Sequence, residues 1–345
     1  GQLYTPQDAD QLMYYREDIK GQILQEGINE AGAFCSWIAA GTSYANHGVN
    51  MIPFYIYYSM FGFQRIGDFA WAAGDMQARG FLIGGTAGRT TLAGEGLQHQ
   101  DGHSLLHAST IPNCVAYDPT YAYELAVIIR DGLLRMYEQQ EDVYYYIACM
   151  NENYVQPAMP EGAEEGILRG MYRCREGGKG RVRAQLLGAG TILREVIAAA
   201  EMLEAHYDVP ADVWSCTSFN RLRREGLLSE RWNRMHPEDS PRRCWTEVCL
   251  DGIQGPFIAA TDYMKIVADQ IRPWVPGQYV TLGTDGYGRS DGRDALRRHF
   301  EVDRYHITVA ALKALADEGS IEIDTVRKAM RKYNIDPDRP NPVGL

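Results

Sequence analysis

No stretch of this 345-residue chain is apolar for long enough to cross a bilayer as a helix, which takes about 20 consecutive apolar residues. No C-x-x-C pair occurs among the seven cysteines, and their odd number and scatter exclude a disulfide framework. Cys244 and Cys249 lie closest together, at a spacing that makes no metal site, so reduced structural thiols in the cytoplasm are expected. No signal peptide is expected either, because the start, GQLYTPQDADQLMYYRED, is polar. An excess of basic residues is also lacking: the net charge is −11, which argues against nucleic acid as a partner. No short-period repeat is visible.

What is present suits a globular chain of two domains, with 45% hydrophobic and 23% charged residues. The charge is uneven: residues 1–168 carry 7 basic and 20 acidic side chains, whereas residues 169–245 carry 14 and 10. The Arg-rich run RLRREGLLSERWNRMHPEDSPRR interleaves acids with its arginines, so it reads as a solvated helix and loop rather than a polyanion patch.

Along the first half, a helix around 20–46 precedes an apolar strand near 51–57, and a helix near 61–79 precedes FLIGGT. A loop and short helix then lead to CVAYD, and the 3.6-residue periodicity of YAYELAVIIRDGLLRMY leads to VYYYIAC. The second half repeats the alternation with AQLLGAG, TILREVIAAAEMLEAH, DVWSCTSF, FIAATDYM and YVTLGTDG. Continuous apolar strands separated by helices predict two α/β domains, each a doubly wound parallel sheet. The Pro- and Gly-bearing acidic segment NENYVQPAMPEGAEEG marks the joint. The expected domains are 1–155 and 171–345, with 156–170 as linker.

Three local patterns invite chemistry. Strand–GAG–helix at 185–204 imitates a dinucleotide fingerprint, but the third glycine is absent and no acid closes the DVWSCTSF strand, so a structural turn is the better account. His99, His103 and His107 have the spacing of one helical face and raise a zinc reading, which Gly94, Gly96 and Gly102 undercut by breaking the helix. Glu30, one helical turn beyond Glu26, is surrounded by Gly27, Ala31, Gly32 and Ala33, so a flat ligand could approach it closely. A carboxylate in such an apolar setting holds its proton unusually well. An exposed helical glutamate is the alternative.

The phrases IPFYIYYSMFGFQRIGD, GEGLQHQDGHS, NENYVQPAMPEGAEEGI and LGTDGYGRSD, in that order, resemble thiamine diphosphate enzymes of the transketolase type. The similarity is greater to their homodimeric bacterial branch, the decarboxylating component of pyruvate dehydrogenase, and runs from GQLYTPQD to NIDPDRPNP. It implies a pyrimidine-binding domain followed by a transketolase C-terminal domain. It also implies that Glu30 hydrogen-bonds the aminopyrimidine and favours its imino tautomer. Tyr58, Phe61 and Arg65 would line that ring, with Phe61 stacking on it, and His99 would face the substrate with Glu95 nearby. The implied activity is oxidative decarboxylation of pyruvate with transfer of the acetyl unit to a lipoyl group on an acetyltransferase core.

Such enzymes hold the diphosphate through Gly-Asp-Gly and downstream asparagines that share magnesium in an oxygen-only shell. No Gly-Asp-Gly occurs here: Gly74-Asp75-Met76 sits in a helical pattern, and the Asp251-Gly252 and Asp285-Gly286 pairs lack the first glycine. The expectation is therefore that the diphosphate and metal ligands belong to a missing N-terminal domain and that the isolated chain is inactive. A non-catalytic dimeric assembly module, or another 2-oxo acid or ketose specificity, remains the alternative.

Overall fold

Strands form where the sequence offers short apolar runs, and in the computed structural model, which describes residues 17–344, they build two sheets. The first contains β1 (Phe54–Tyr58), β2 (Phe81–Gly85), β3 (Cys114–Tyr117) and β4 (Tyr144–Ala148), in the order β1-β2-β4-β3 and parallel throughout. Helices Glu30–Gly41, Ser59–Asp75 and Ala122–Leu133 accompany it. β3 and β4 are buried along their whole length, which is why their sequences read as continuous apolar runs. Three tyrosines in β4 are fully buried. Each hydroxyl finds a partner: Tyr144 donates to the Ala70 carbonyl, Tyr145 to Asp131 and Tyr146 to Ser104.

The second sheet has the order β5-β7-β6-β8-β9, built from β5 (Tyr172–Arg175), β6 (Ala184–Gly188), β7 (Ala211–Ser215), β8 (Phe257–Ala260) and β9 (Tyr279–Leu282). Only β5 runs antiparallel to its neighbour. The two-domain parallel α/β expectation thus holds, with one antiparallel edge strand that its half-exposed, arginine-bearing sequence had concealed.

The helix expected over 20–46 begins only at Glu30. Gly27 adopts φ +66°, and the Asn29 side chain accepts the Gly32 N–H at 3.1 Å, which fixes the start. Glu26 is therefore not one turn below Glu30 on a helix. Its carboxylate instead accepts the Ser36 hydroxyl at 2.5 Å. Within the expected linker, Ala163–Arg169 is helical, while residues 151–160 form no regular element.

The two sheets share one buried apolar cluster, which runs from Phe81 and Tyr145 to Trp214, Phe257 and Tyr279. Polar groups join them too. Asp262, just past β8, accepts the backbone N–H and hydroxyl of both Thr90 and Thr91 at 2.6–3.0 Å. Gly88, at φ +87°, permits this approach, since a side chain there would overlap the Asp262 carboxylate. Glu124 accepts Thr120 N–H, Tyr121 N–H and the hydroxyls of Tyr172 and Ser215 at 2.6–3.0 Å. Arg224, in the run expected to be solvated, corrects that reading: it is half-buried and donates to the Ile111 and Cys114 carbonyls of the first domain.

The Gly188–Gly190 turn carries no ligand space of the dinucleotide kind. Met150 accepts from Thr191 N–H and hydroxyl at 3.3 and 3.0 Å, and Asp118 packs against Gly190. Both carboxyl oxygens of Asp118 are buried without a hydrogen-bond partner among the described residues. Burial, then the nearby Asp262, Glu124 and Asp101, push this carboxyl well above its ordinary value of 3.8. A group whose folded-state pKa is raised contributes stability fully below its unfolded value and loses it as pH rises through the folded one. Asp118→Asn should therefore lose less stability than the parent in urea melts as pH rises above about 4. An identical pH slope in both proteins would contradict the assignment.

Candidate functional site

Glu30, at the first position of its helix, sits where the partial positive charge of the helix end favours a carboxylate. Its Oε1 lies 2.6 Å from Arg65 Nη1, and its side chain is 18% exposed. The apolar isolation expected for Glu30 is thus corrected: the small residues surround it, but a guanidinium reaches it from the neighbouring helix. Arg65 is also stacked over Phe61, one turn earlier, with Cζ 4.4 Å from the ring centroid. Nearby, the Tyr55 hydroxyl lies 3.5 Å from the Glu30 carbonyl. Burial, then Glu30 and Glu26, push the Tyr55 phenol up to about 12, so it is a neutral donor.

Tyr58 ends β1 and caps the helix that carries Phe61 and Arg65. The two rings lie 6.3 Å apart, and His99 approaches both: 5.0 Å from Phe61, edge-on, and 5.7 Å from Tyr58. His99 closes a short 3-10 turn, Leu97–His99, and its Nδ1 lies 3.3 Å from the Gly96 carbonyl. That distance suits the tautomer with the proton on Nδ1, leaving Nε2 without a protein partner among the described residues. Glu30, Arg65, Phe61, Tyr58 and His99 therefore form one linked set, drawn from segments far apart in sequence. Glu95 is half-buried on the same loop, and its carboxylate makes no hydrogen bond or ion pair among the described residues.

The three histidines do not share a helix. His103 precedes the helix Ser104–Ser109, His99 lies in the separate turn, and His107 packs edge-on against Phe63 at 6.5 Å. Burial holds the His103 imidazole below its ordinary value. Among the described residues no group of three or more His, Cys, Asp or Glu could hold a metal ion. No helix among them is long and apolar enough to cross a membrane, and the seven cysteines are free.

Sequence reasoning missed the residues that hold the site's loop in place. Arg89 is buried and donates to the Thr284 carbonyl at 2.6 Å. Gln100 donates to the Leu92 carbonyl at 2.8 Å and accepts from Arg289 N–H at 2.7 Å. The signal was the phrase LGTDGYGRSD, whose glycines and polar residues form the other side of these contacts.

Residues 1–157 match the family model described as the pyruvate dehydrogenase E1 component middle domain, and residues 170–303 match the transketolase-like C-terminal domain. The chain is 66% identical over 345 residues to the pyruvate dehydrogenase E1 component of Pseudomonas aeruginosa, covering 99% of this chain and 39% of that protein. Against the Escherichia coli K12 protein of the same description it is 61% identical over 346 residues, with the same 99% and 39% coverage. The chain thus spans about two fifths of the length of these curated relatives. Among solved structures, transketolase from Leishmania mexicana is similar with a TM-score of 0.61 at 13% identity, covering 92% of this chain and 39% of that one. A split-gene transketolase, described as an inactive beta4 tetramer, is similar with a TM-score of 0.58 at 17% identity, covering 84% and 83%.

The Glu30–Arg65 pair is half exposed on the arginine side, so it carries little stability, about 0–1 kcal/mol for a pair of this kind. Arg65→Met should leave the urea midpoint of this chain almost unchanged. A loss well above ~1 kcal/mol would mean that the pair is structural rather than available to a ligand.

Proposed function

We propose that this chain, which belongs to the pyruvate dehydrogenase E1 component family, supplies the ring-binding half of a thiamine diphosphate-dependent enzyme that decarboxylates pyruvate. The observation that carries the reading is the set Glu30, Arg65, Phe61, Tyr58 and His99: a carboxylate, aromatic faces and an imidazole converging at one exposed edge of the first domain. This donor set fits the aminopyrimidine end of the cofactor. For the diphosphate end the chain offers no Gly-Asp-Gly, the sequence that would carry the magnesium carboxylate. Magnesium and the diphosphate are then held by a further domain that this chain's residues do not supply.

In this reading the bound cofactor provides the electron sink for loss of carbon dioxide from the 2-oxo acid. The chain's own residues orient it and handle protons. With Oε1 of Glu30 engaged by Arg65, Oε2 is the atom left to meet the pyrimidine nitrogen. Phe61 offers the stacking face, a contact contributing roughly 0.5–1.5 kcal/mol beyond burial. His99 presents Nε2 toward the substrate and, once that nitrogen carries a proton, donates it in a hydrogen bond to the substrate carboxylate or developing oxyanion. Glu95, on the same loop, is proposed to face the substrate as well. The acetyl unit then passes to a lipoyl group on an acetyltransferase core in the cytoplasm.

The same edge supports association with a second copy. Phe54, Ile56 and Tyr58 project from edge strand β1 and are 46%, 70% and 45% exposed, an apolar row beside the site. A homodimer is expected in light scattering, and a strict monomer at high concentration would oppose it.

Two measurements test the function. Calorimetry with thiamine diphosphate and magnesium should give no submicromolar binding to the chain alone, and tight binding would overturn the division of labour. In the assembled enzyme, Glu30→Gln keeps the shape and a hydrogen bond but exchanges no proton at that atom. Turnover should fall ~10²–10⁴-fold, the usual weight of positioned proton transfer, with folding stability little changed.

A further inference from the structure

The loop that carries Glu95 and His99 is attached to the second domain at three levels. At its base, Asp262 holds Thr90 and Thr91, and Arg293 Nε donates to the Thr91 carbonyl at 2.8 Å. At its far end, Met264 N–H donates to the Gly102 carbonyl at 2.9 Å. Between these, the segment Gly288–Asp291 lies along the loop itself. Ser290 Oγ donates to the Glu95 carbonyl at 2.7 Å, and Gly94 N–H donates to the Asp291 carbonyl at 3.2 Å. Arg289 N–H donates to Gln100 Oε1 at 2.7 Å. Gly288 approaches so closely that a methyl group there would overlap the Leu97 carbonyl oxygen and come within 2.6 Å of Gln100 Oε1. The His99 ring itself touches Tyr58 and Phe61, whereas the backbone on both sides of it is fixed from the second domain.

We propose that the Gly288–Asp291 segment is a positioning device that sets the His99 loop for the reaction, with Ser290 and Gln100 as positioning residues. Its functional side rests on the assignment of His99 above; its structural side does not. The physical argument is one of entropy. Loop Ala93–Gln100 has no regular structure beyond one 3-10 turn, so its own backbone bonds leave it free to wander. Four contacts from one short segment remove that freedom. Gln100, buried at 1% exposure, ties the loop to itself and to the second domain with the two ends of one amide. A group that must meet a substrate atom is sensitive to such fixing, because a misplacement of about 1 Å can cost 10²-fold in rate. The second domain would then serve the chemistry without contributing a side chain to it.

The test uses amide hydrogen exchange, read by mass spectrometry on peptides spanning 93–100, in the full chain. Ser290→Ala removes one hydrogen bond at an exposed residue and should quicken exchange there about fivefold with global unfolding unchanged. Ser290→Thr keeps the hydroxyl and should restore protection. Gly288→Ala should quicken it further by displacing Leu97. Unaltered exchange in Ser290→Ala and Gly288→Ala would overturn the proposal outright. In the assembled enzyme, Gly288→Ala should lower kcat/KM for the 2-oxo acid roughly ten- to hundredfold while leaving cofactor affinity intact. Placed on a His99→Ala background, the same substitution should cost almost nothing more, because both act through one group. Full additivity, or quickened exchange with full activity, would also overturn it. A fully active His99→Ala enzyme would instead remove the functional assignment of His99, and the exchange measurement would still decide whether the segment braces the loop.

Discussion

Asp262, at the carboxyl end of β8, takes four hydrogen bonds from Thr90 and Thr91, and the loop that carries Glu95 and His99 starts from that attachment. Donors of this kind are costly to orphan, about 1–3 kcal/mol each when buried, so the two domains hold one arrangement. Ligands of open α/β sheets usually occupy the carboxyl ends of the strands. Here the carboxyl ends of β6 and β8 are occupied by the first domain: Asp118 and Met150 at one, Thr90 and Thr91 at the other. The second domain's natural binding edge has become a joint, which leaves its GAG turn no room for a dinucleotide.

The joint concentrates buried acid. Asp118, Glu124 and Asp262 are all buried there, and burial raises all three carboxyls. Glu124 and Asp262 are compensated by four donors each. Asp118 has none among the described residues, and its burial disfavours the charged form. Two buried arginines border the same region: Arg89 donates to the Thr284 carbonyl, and Arg297 pairs with Glu152.

Much of this was legible in the sequence, and the boundary of legibility has physical causes. Apolar runs such as VYYYIAC announced buried parallel strands because both faces of such strands are covered. β5 was hidden because an edge strand with half-exposed arginines lacks that signature. The Glu30 helix starts ten residues later than the sequence suggests because the Gly27 turn and the Asn29 cap decide the boundary. The family resemblance pointed to Glu30, Tyr58, Phe61, Arg65, His99 and Glu95, and the fold links the first five. No periodicity could show that Arg65 reaches Glu30, since that pair depends on how two helices sit side by side. Nor could it show Ser290 reaching Glu95 across 195 positions, a contact that exists only through the joint.

The claim at the centre of this account is that Glu30 manages a proton for the bound cofactor while His99 acts on substrate. Proton–deuterium exchange at the reactive thiazolium carbon, measured in the assembled enzyme, separates these roles directly. Exchange should slow by ~10²-fold or more in Glu30→Gln and stay near the parental rate in His99→Ala. Parental exchange in Glu30→Gln would contradict the account at its first residue.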